Sequence, residues 1–181
     1  DIEGLPFIEA TRQFILSKKR EDVMSIHLTL VPYIAGANEL KTKPTQHSVN
    51  KLREIGIVPD MIVCRTQYPI TASMINKISL FCNVPPEAVV EARSCSSIYY
   101  IPESLHEQDV DKFIMKRLGL KSKIKFDSKW FEYVKRQNKS KKVINIGVIG
   151  KYADLKDAYK SIDESIKISA MDINVNVNIN Y

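Results

Sequence analysis

What this sequence lacks narrows its chemistry before any motif is considered. It has no apolar run near the ~20 residues that a membrane-crossing helix needs and no leader-like opening, so it reads as a soluble, cytoplasmic chain with no membrane partner. Cysteine is sparse and odd in number: Cys64, Cys82 and Cys95 have no metal-type spacing and lie among apolar or small neighbours, which suits buried thiols in a reducing compartment. His27, His47 and His106 are scattered and form no ligand set, so no metal site is expected within the chain. There is no Gly-x-Ser-x-Gly, and no cysteine sits in a strand-to-helix elbow, so no complete covalent catalytic apparatus is expected and no catalytic residue is assigned. Arginine-rich runs and basic–aromatic alternation are missing too, which argues against a nucleic-acid partner. The net charge of +6 favours anionic partners without choosing among them.

What is present suffices for a folded α/β protein. The 181 residues are 44% hydrophobic, enough for a real core. "LPFIEATRQFILSKK" has the spacing of an amphipathic helix, and "VMSIHLTLVPYI" that of a strand ended at Pro32. A helix is expected from about Ser48 to Ile55, and "DMIVCRT" has the unbroken apolar character of a buried parallel strand. "ITASMINKISLFCNV" reads as a helix from Ile70 to Lys77 that passes into a strand, Ile78 to Cys82. "PPEAVVEA" reads as a short helical turn and "SSIYYIP" as a short strand. "HEQDVDKFIMKRLGL" puts Val110, Phe113, Ile114 and Leu118 on one helical face, with Gly119 as its stop.

From residue 121 to 142 lysines are dense around Trp130, Phe131 and Tyr133, the look of a linker with one short helix. A βαβ unit follows: "VINIGVIG", the turn "GKYADL", the helix "KDAYKSIDESIKIS" and the strand "INVNVNINY". In that last strand Ile173, Val175, Val177, Ile179 and Tyr181 alternate with four asparagines, and the apolar face is expected to be covered by helices further along. The opening without methionine and the stop directly after a strand lead us to expect a piece of a longer protein.

One segment carries more donors than a surface turn needs. In "KTKPTQHSV", Lys41, Thr42, Lys43, Pro44, Thr45 and Gln46 precede a helical run. Two ammonium groups, two hydroxyls and the free N–H groups of a helix start suit a polyphosphate. Lys77 is either a snorkelling lysine or a member of a site at a sheet edge. Asp1 and Glu3, two apart, either suit a helix N-terminus or can face a ribose or a cation. "GVIGKYADL" lacks phosphate-loop spacing and is better explained as a structural turn.

Taken in order and at their spacing, "DIEGLPF", "ELKTKPTQHSV", "LREIGIVPD", "KISLFCNVPPEAVVEA" and "SIYYIP" resemble the CTP synthase family, and "GKYADLKDAY" resembles the opening of that family's glutaminase domain. The resemblance implies the later part of a P-loop-type amidoligase domain with a mostly parallel sheet (1–120), a linker (121–142), and the first βαβ of a class I glutamine amidotransferase domain (143–181). It also implies ATP with Mg²⁺, UTP, CTP and glutamine as partners, CTP feedback, and a homotetramer able to form filaments. Asp1, Ile2, Glu3, Lys41, Thr42, Lys43, Pro44, Thr45, Gln46 and Lys77 match the family's UTP/CTP site; Phe81 is read either as a contact to the pyrimidine or as a core aromatic. Arg93, Ser94 and Cys95 fall where the family contacts ATP, although its usual pattern there is closer to Lys-Asp-Val, which leaves backbone contacts as the implied ones. The family's phosphate loop, Mg²⁺ carboxylates and glutaminase nucleophile have no match in these residues. A non-catalytic module that binds UTP or CTP is the rival reading.

Overall fold

In a computed structural model the chain runs α1 (Leu5–Leu16), β1 (Ile26–Leu30), β2 (Tyr33–Ile34), β3 (Glu39–Leu40), α2 (Lys43–Glu54), β4 (Met61–Thr66), α3 (Ala72–Cys82), β5 (Val89–Arg93), α4 (Ile101–Glu107), α5 (Val110–Arg117), α6 (Ser128–Arg136), β6 (Val143–Gly147), α7 (Lys160–Asp172) and β7 (Asn176–Asn180). The structure describes residues 2–121, 128–136, 140, 142–152 and 154–181. These form two compact units, Asp1–Lys123 and Ile124–Tyr181. No described helix is long and apolar enough to cross a membrane.

The first unit is built on a parallel sheet in the order β1-β4-β5. The unbroken apolar run of β4 makes it the central strand, with Met61, Ile62 and Cys64 fully buried. Helix α2 packs on β1: His27 Nε2 and Ser48 Oγ share a hydrogen bond of 2.8 Å, and burial holds the His27 imidazole below its ordinary pKa. Val49, Ile78, Cys82, Val90 and Val110 complete the core. Helix α1 forms as its spacing predicts, yet Phe7, Phe14 and Leu16 on it are exposed.

Three expectations need correction here. The stretch Ile78–Cys82 is no strand: α3 continues through it, because Met74, Ile78 and Cys82 recur at i, i+4 against the core. The helix ends at Asn83, whose left-handed conformation (φ 56°) lets Val84 N–H bond back to Ser79. "SSIYYIP" is a 3₁₀ turn, Ile98–Tyr100, leading into α4, since the Ser97 hydroxyl accepts the Tyr99 N–H and Pro102 lies in the first turn of the helix. After the expected turn at Pro86–Ala88, "VVEAR" is strand β5, its valines buried beside β4. The expected stop of α5 is present: Gly119 takes φ 62° and Leu120 N–H reaches the Met115 carbonyl.

The base of this unit is tied by one ion-paired node. Arg117 Nε donates to Asp60 Oδ1 at 2.8 Å, and both side chains are largely buried. Arg117 also donates to the carbonyls of Arg20 and Val23, while Asp60 Oδ2 accepts the Ser25 N–H at 2.9 Å. The end of α5 is thereby joined to the entrances of β1 and β4.

In the second unit β6 and β7 pair in parallel, and α7 connects them as the pattern predicts. Helix α6 lies within residues 121–142 and packs on α7, with Val134 and Phe131 buried and Tyr133 Oη donating to the Ile168 carbonyl at 2.9 Å. The lysines at 122–127, 137–139 and 141 lie outside the described residues. Ile173 does not belong to the strand; it follows α7 and is exposed, and left-handed Asn174 (φ 55°) separates it from β7. Part of the apolar face of β7 is met by α7. Val175 and Val177 line a small apolar pocket together with Ile144, Ile146, Ile166 and Ala170. The asparagines form the other face, where Asn178 Nδ2 donates to Asn145 Oδ1 at 3.1 Å.

The cysteines divide by burial. Burial pushes the Cys64 thiol up to about 12 and the Cys82 thiol up to about 11, whereas Cys95 is exposed, against the expectation of three buried thiols. Only the thiolate alkylates, and raised values keep Cys64 and Cys82 protonated well above neutral pH. Brief iodoacetamide treatment at pH 8 is therefore expected to add one label to the native chain and three after denaturation. Tryptic mapping that finds native label on Cys64 or Cys82 would contradict the burial.

Candidate functional site

Parallel strands bring their carboxyl ends to one edge, and open α/β sheets hold ligands at that edge. Here the chain leaves β1 through Val31 and Pro32 into the β2–β3 hairpin, leaves β4 at Thr66, and leaves β5 at Arg93. The donor-rich segment lies at this edge, but it is not a loop ahead of a helix that begins near Ser48. Helix α2 begins at Lys43, so Lys43–Gln46 are its first turn. Pro44 explains the early start, because its fixed φ and missing N–H cost nothing at that position.

The six residues therefore have different environments. Lys41 and Lys43 are exposed on either side of buried Thr42. Lys41 N–H donates to the Pro32 carbonyl at 2.9 Å, which fixes the approach to the helix, and its ammonium is ion-paired with Glu39. Thr45 is fully buried and donates its hydroxyl to the Leu30 carbonyl at 3.1 Å, anchoring α2 to the end of β1. Gln46 is also buried and donates to Thr42 Oγ1 at 3.1 Å. Thr45 and Gln46 thus build the helix start, with the Gln46 N–H bonded to the Thr42 carbonyl, while Lys41 and Lys43 are exposed beside it.

Lys77 lies mid-helix in α3 and not at a helix–strand junction. It lines a groove of about 560 Å³ together with Thr42, Tyr33, Asn38, Glu39 and Tyr68. Sequence reasoning missed the last four; the available signal was that Tyr33 and Tyr68 each stand just past the end of a parallel strand. Their rings meet with centroids 4.4 Å apart. Tyr33 Oη is hydrogen-bonded to Asn38, and Thr66 Oγ1 donates to the Tyr68 carbonyl at 2.9 Å. Phe81, one turn beyond Lys77, is exposed and so is no core aromatic.

Thr66 also connects the groove to the neighbouring strand end, since its carbonyl accepts the Ser94 N–H at 3.0 Å. Arg93 pairs with Glu91 at 3.6 Å, and Glu91 accepts the Ile70 N–H at 2.7 Å. Cys95 is exposed, with its Sγ 3.0 Å from the Ser97 carbonyl. Asp1 lies outside the described residues; Ile2 and Glu3 belong to a 3₁₀ turn ahead of α1, and Glu3 is not among the residues that line the groove. Among the described residues no His, Cys, Asp and Glu side chains gather in a metal-binding group.

These features define a parallel α/β protein with a lysine-bearing, aromatic-walled groove at the carboxyl edge of its sheet. Residues 1–120 match the family model for the CTP synthase N-terminus. Over all 181 residues the chain is 48% identical to the CTP synthase of Caldanaerobacter subterraneus subsp. tengcongensis, 48% to that of Ruminiclostridium cellulolyticum and 45% to that of Methanocaldococcus jannaschii. It covers 34% of each of these relatives, about a third of their length. The chain belongs to the CTP synthase family.

Proposed function

We propose that this chain is part of a glutamine-hydrolysing CTP synthase, and that its groove and the first turn of α2 hold the triphosphate of UTP and of the product CTP. The observation that carries this reading is the convergence of Thr42 and Lys77 on one groove, with Lys41 and Lys43 at its side. A triphosphate bears a charge of roughly −4, which ammonium groups and helix-start N–H donors are suited to hold. In this reading residues 1–120 end the amidoligase domain, 121–142 link, and 143–181 open the glutaminase domain. The whole enzyme phosphorylates O4 of UTP with ATP and displaces that phosphate with ammonia from glutamine.

Two further roles belong to the proposal. Arg93, Ser94 and Cys95 meet ATP through their backbone at the end of β5, and Mg²⁺ arrives with ATP, its protein ligands lying outside this chain. Asp1, Ile2 and Glu3 face the pyrimidine or ribose and help separate CTP from UTP, which differ only at the 4-position and N3. The working assembly is proposed to be a homotetramer.

The natural polypeptide that contains this chain is expected to form CTP from UTP, ATP, Mg²⁺ and glutamine, whereas residues 1–181 alone form none. Chromatographic detection of CTP decides the matter. UTP binding by the natural polypeptide without CTP formation would instead support a binding module.

A further inference from the structure

Among the described residues that line the groove Glu39 is the one carboxylate, and it is ion-paired with Lys41. Both partners stand on constrained backbone. Glu39 is paired with Ile34 across the hairpin and follows left-handed Asn38 (φ 50°), and Lys41 N–H is bonded to the Pro32 carbonyl. Their side chains remain about half exposed, 52% for Glu39 and 46% for Lys41, so an entering ligand can reach both. An anion approaching the start of α2 therefore meets a lysine whose charge is already matched, beside a carboxylate that repels it.

We infer that Glu39 is an affinity-setting residue of this groove: it holds Lys41 while no anion is bound and must release it before Lys41 can meet a phosphate. The inference rests on the groove's being a nucleotide polyphosphate site. Removing the carboxylate frees Lys41 and abolishes a repulsion that grows with ligand charge, so the benefit is greater for a triphosphate than for a monophosphate. Both effects act between exposed groups and shrink as salt screens them.

The test is equilibrium binding of UTP and UMP to the natural polypeptide carrying Glu39→Gln, with Glu39→Asp and Lys43→Ala measured alongside. Glu39→Gln is expected to tighten UTP roughly three- to tenfold and UMP less, with the gain fading at high salt, while Glu39→Asp stays near wild type. Unchanged UTP binding in Glu39→Gln, with Lys43→Ala weakened, overturns the role of Glu39 and leaves the groove reading intact. Weaker UTP binding in Glu39→Gln also overturns it, since the carboxylate would then be holding the ligand. If both Lys43→Ala and Glu39→Gln bind UTP as wild type does, the polyphosphate reading itself fails.

Discussion

Replacing Lys43 by alanine in the natural polypeptide is expected to weaken UTP about ten- to a hundredfold while leaving glutamine hydrolysis in place. Lys43 is exposed at the first position of α2, beside the buried Thr42 that lines the groove. Loss of a charge-assisted contact to phosphate costs about 1.5–3 kcal/mol, the same range expressed as an energy. Lys77→Ala is expected to act in the same direction from α3. Thr45→Val serves as the contrast. Its hydroxyl is committed to the Leu30 carbonyl, so it should loosen the start of α2 and lower stability before it alters UTP affinity selectively. Titration of UTP at fixed ATP, with glutamine hydrolysis measured separately, checks all three. Wild-type UTP affinity in both lysine variants would remove the triphosphate from this edge of the sheet.

The second large effect is expected far from the groove, at the base of the sheet. Arg117→Ala removes the buried and nearer of the two guanidinium groups at Asp60, leaving only the exposed Arg20 at 3.9 Å; the Arg117 and Asp60 side chains are only 15% and 17% exposed. Removing one member of a buried pair costs about 3–5 kcal/mol, and partial solvent contact reduces this to about 2–3 kcal/mol. The same substitution strips the Arg20 and Val23 carbonyls of their donors, so the strand entrances loosen together. Hydrogen exchange of the natural polypeptide should show amides of β1 and the last turn of α5 exchanging roughly thirty- to a hundredfold faster, with α7 unchanged. Arg117→Lys should recover only part of the protection, because one ammonium group cannot span Asp60 and two carbonyls. Unaltered protection in β1 would mean that the node does not hold the sheet.

Much of the fold was legible because local pattern and local structure coincide. "DMIVCRT" could be read as a central strand since burial on both faces leaves no polar alternation, and Gly119 could be read as a stop since few other residues take a positive φ freely. The βαβ order of residues 143–180 followed from switching periodicities in the same way. Two of the misreadings share one cause. "ISLFC" and "SIYYI" are short apolar runs that suit strand or helix equally, and the choice is made by what lies opposite them. For Ile78 and Cys82 that is the buried face of the sheet, which a continuing helix reaches at i, i+4.

The candidate site divides along the same line. The sequence by itself determined which chemistry was available: lysines, hydroxyls and a helix start gathered around Pro44, and a parallel strand on whose carboxyl edge they would fall. The tertiary structure decided which of those groups face a ligand. It committed Thr45 and Gln46 to the start of α2, brought Thr42 and Lys77 to one groove, added Tyr33, Tyr68 and Glu39 to its wall, and left Cys95 exposed. It also turned α7 onto the apolar face of β7. The physical reason is that residue type and spacing act over one or two turns of chain. Whether the Thr45 hydroxyl is used up inside the protein depends on the Leu30 carbonyl at the end of β1, and only the packing of β1, β4 and β5 with their helices brings such partners, and Lys77 of α3, into place.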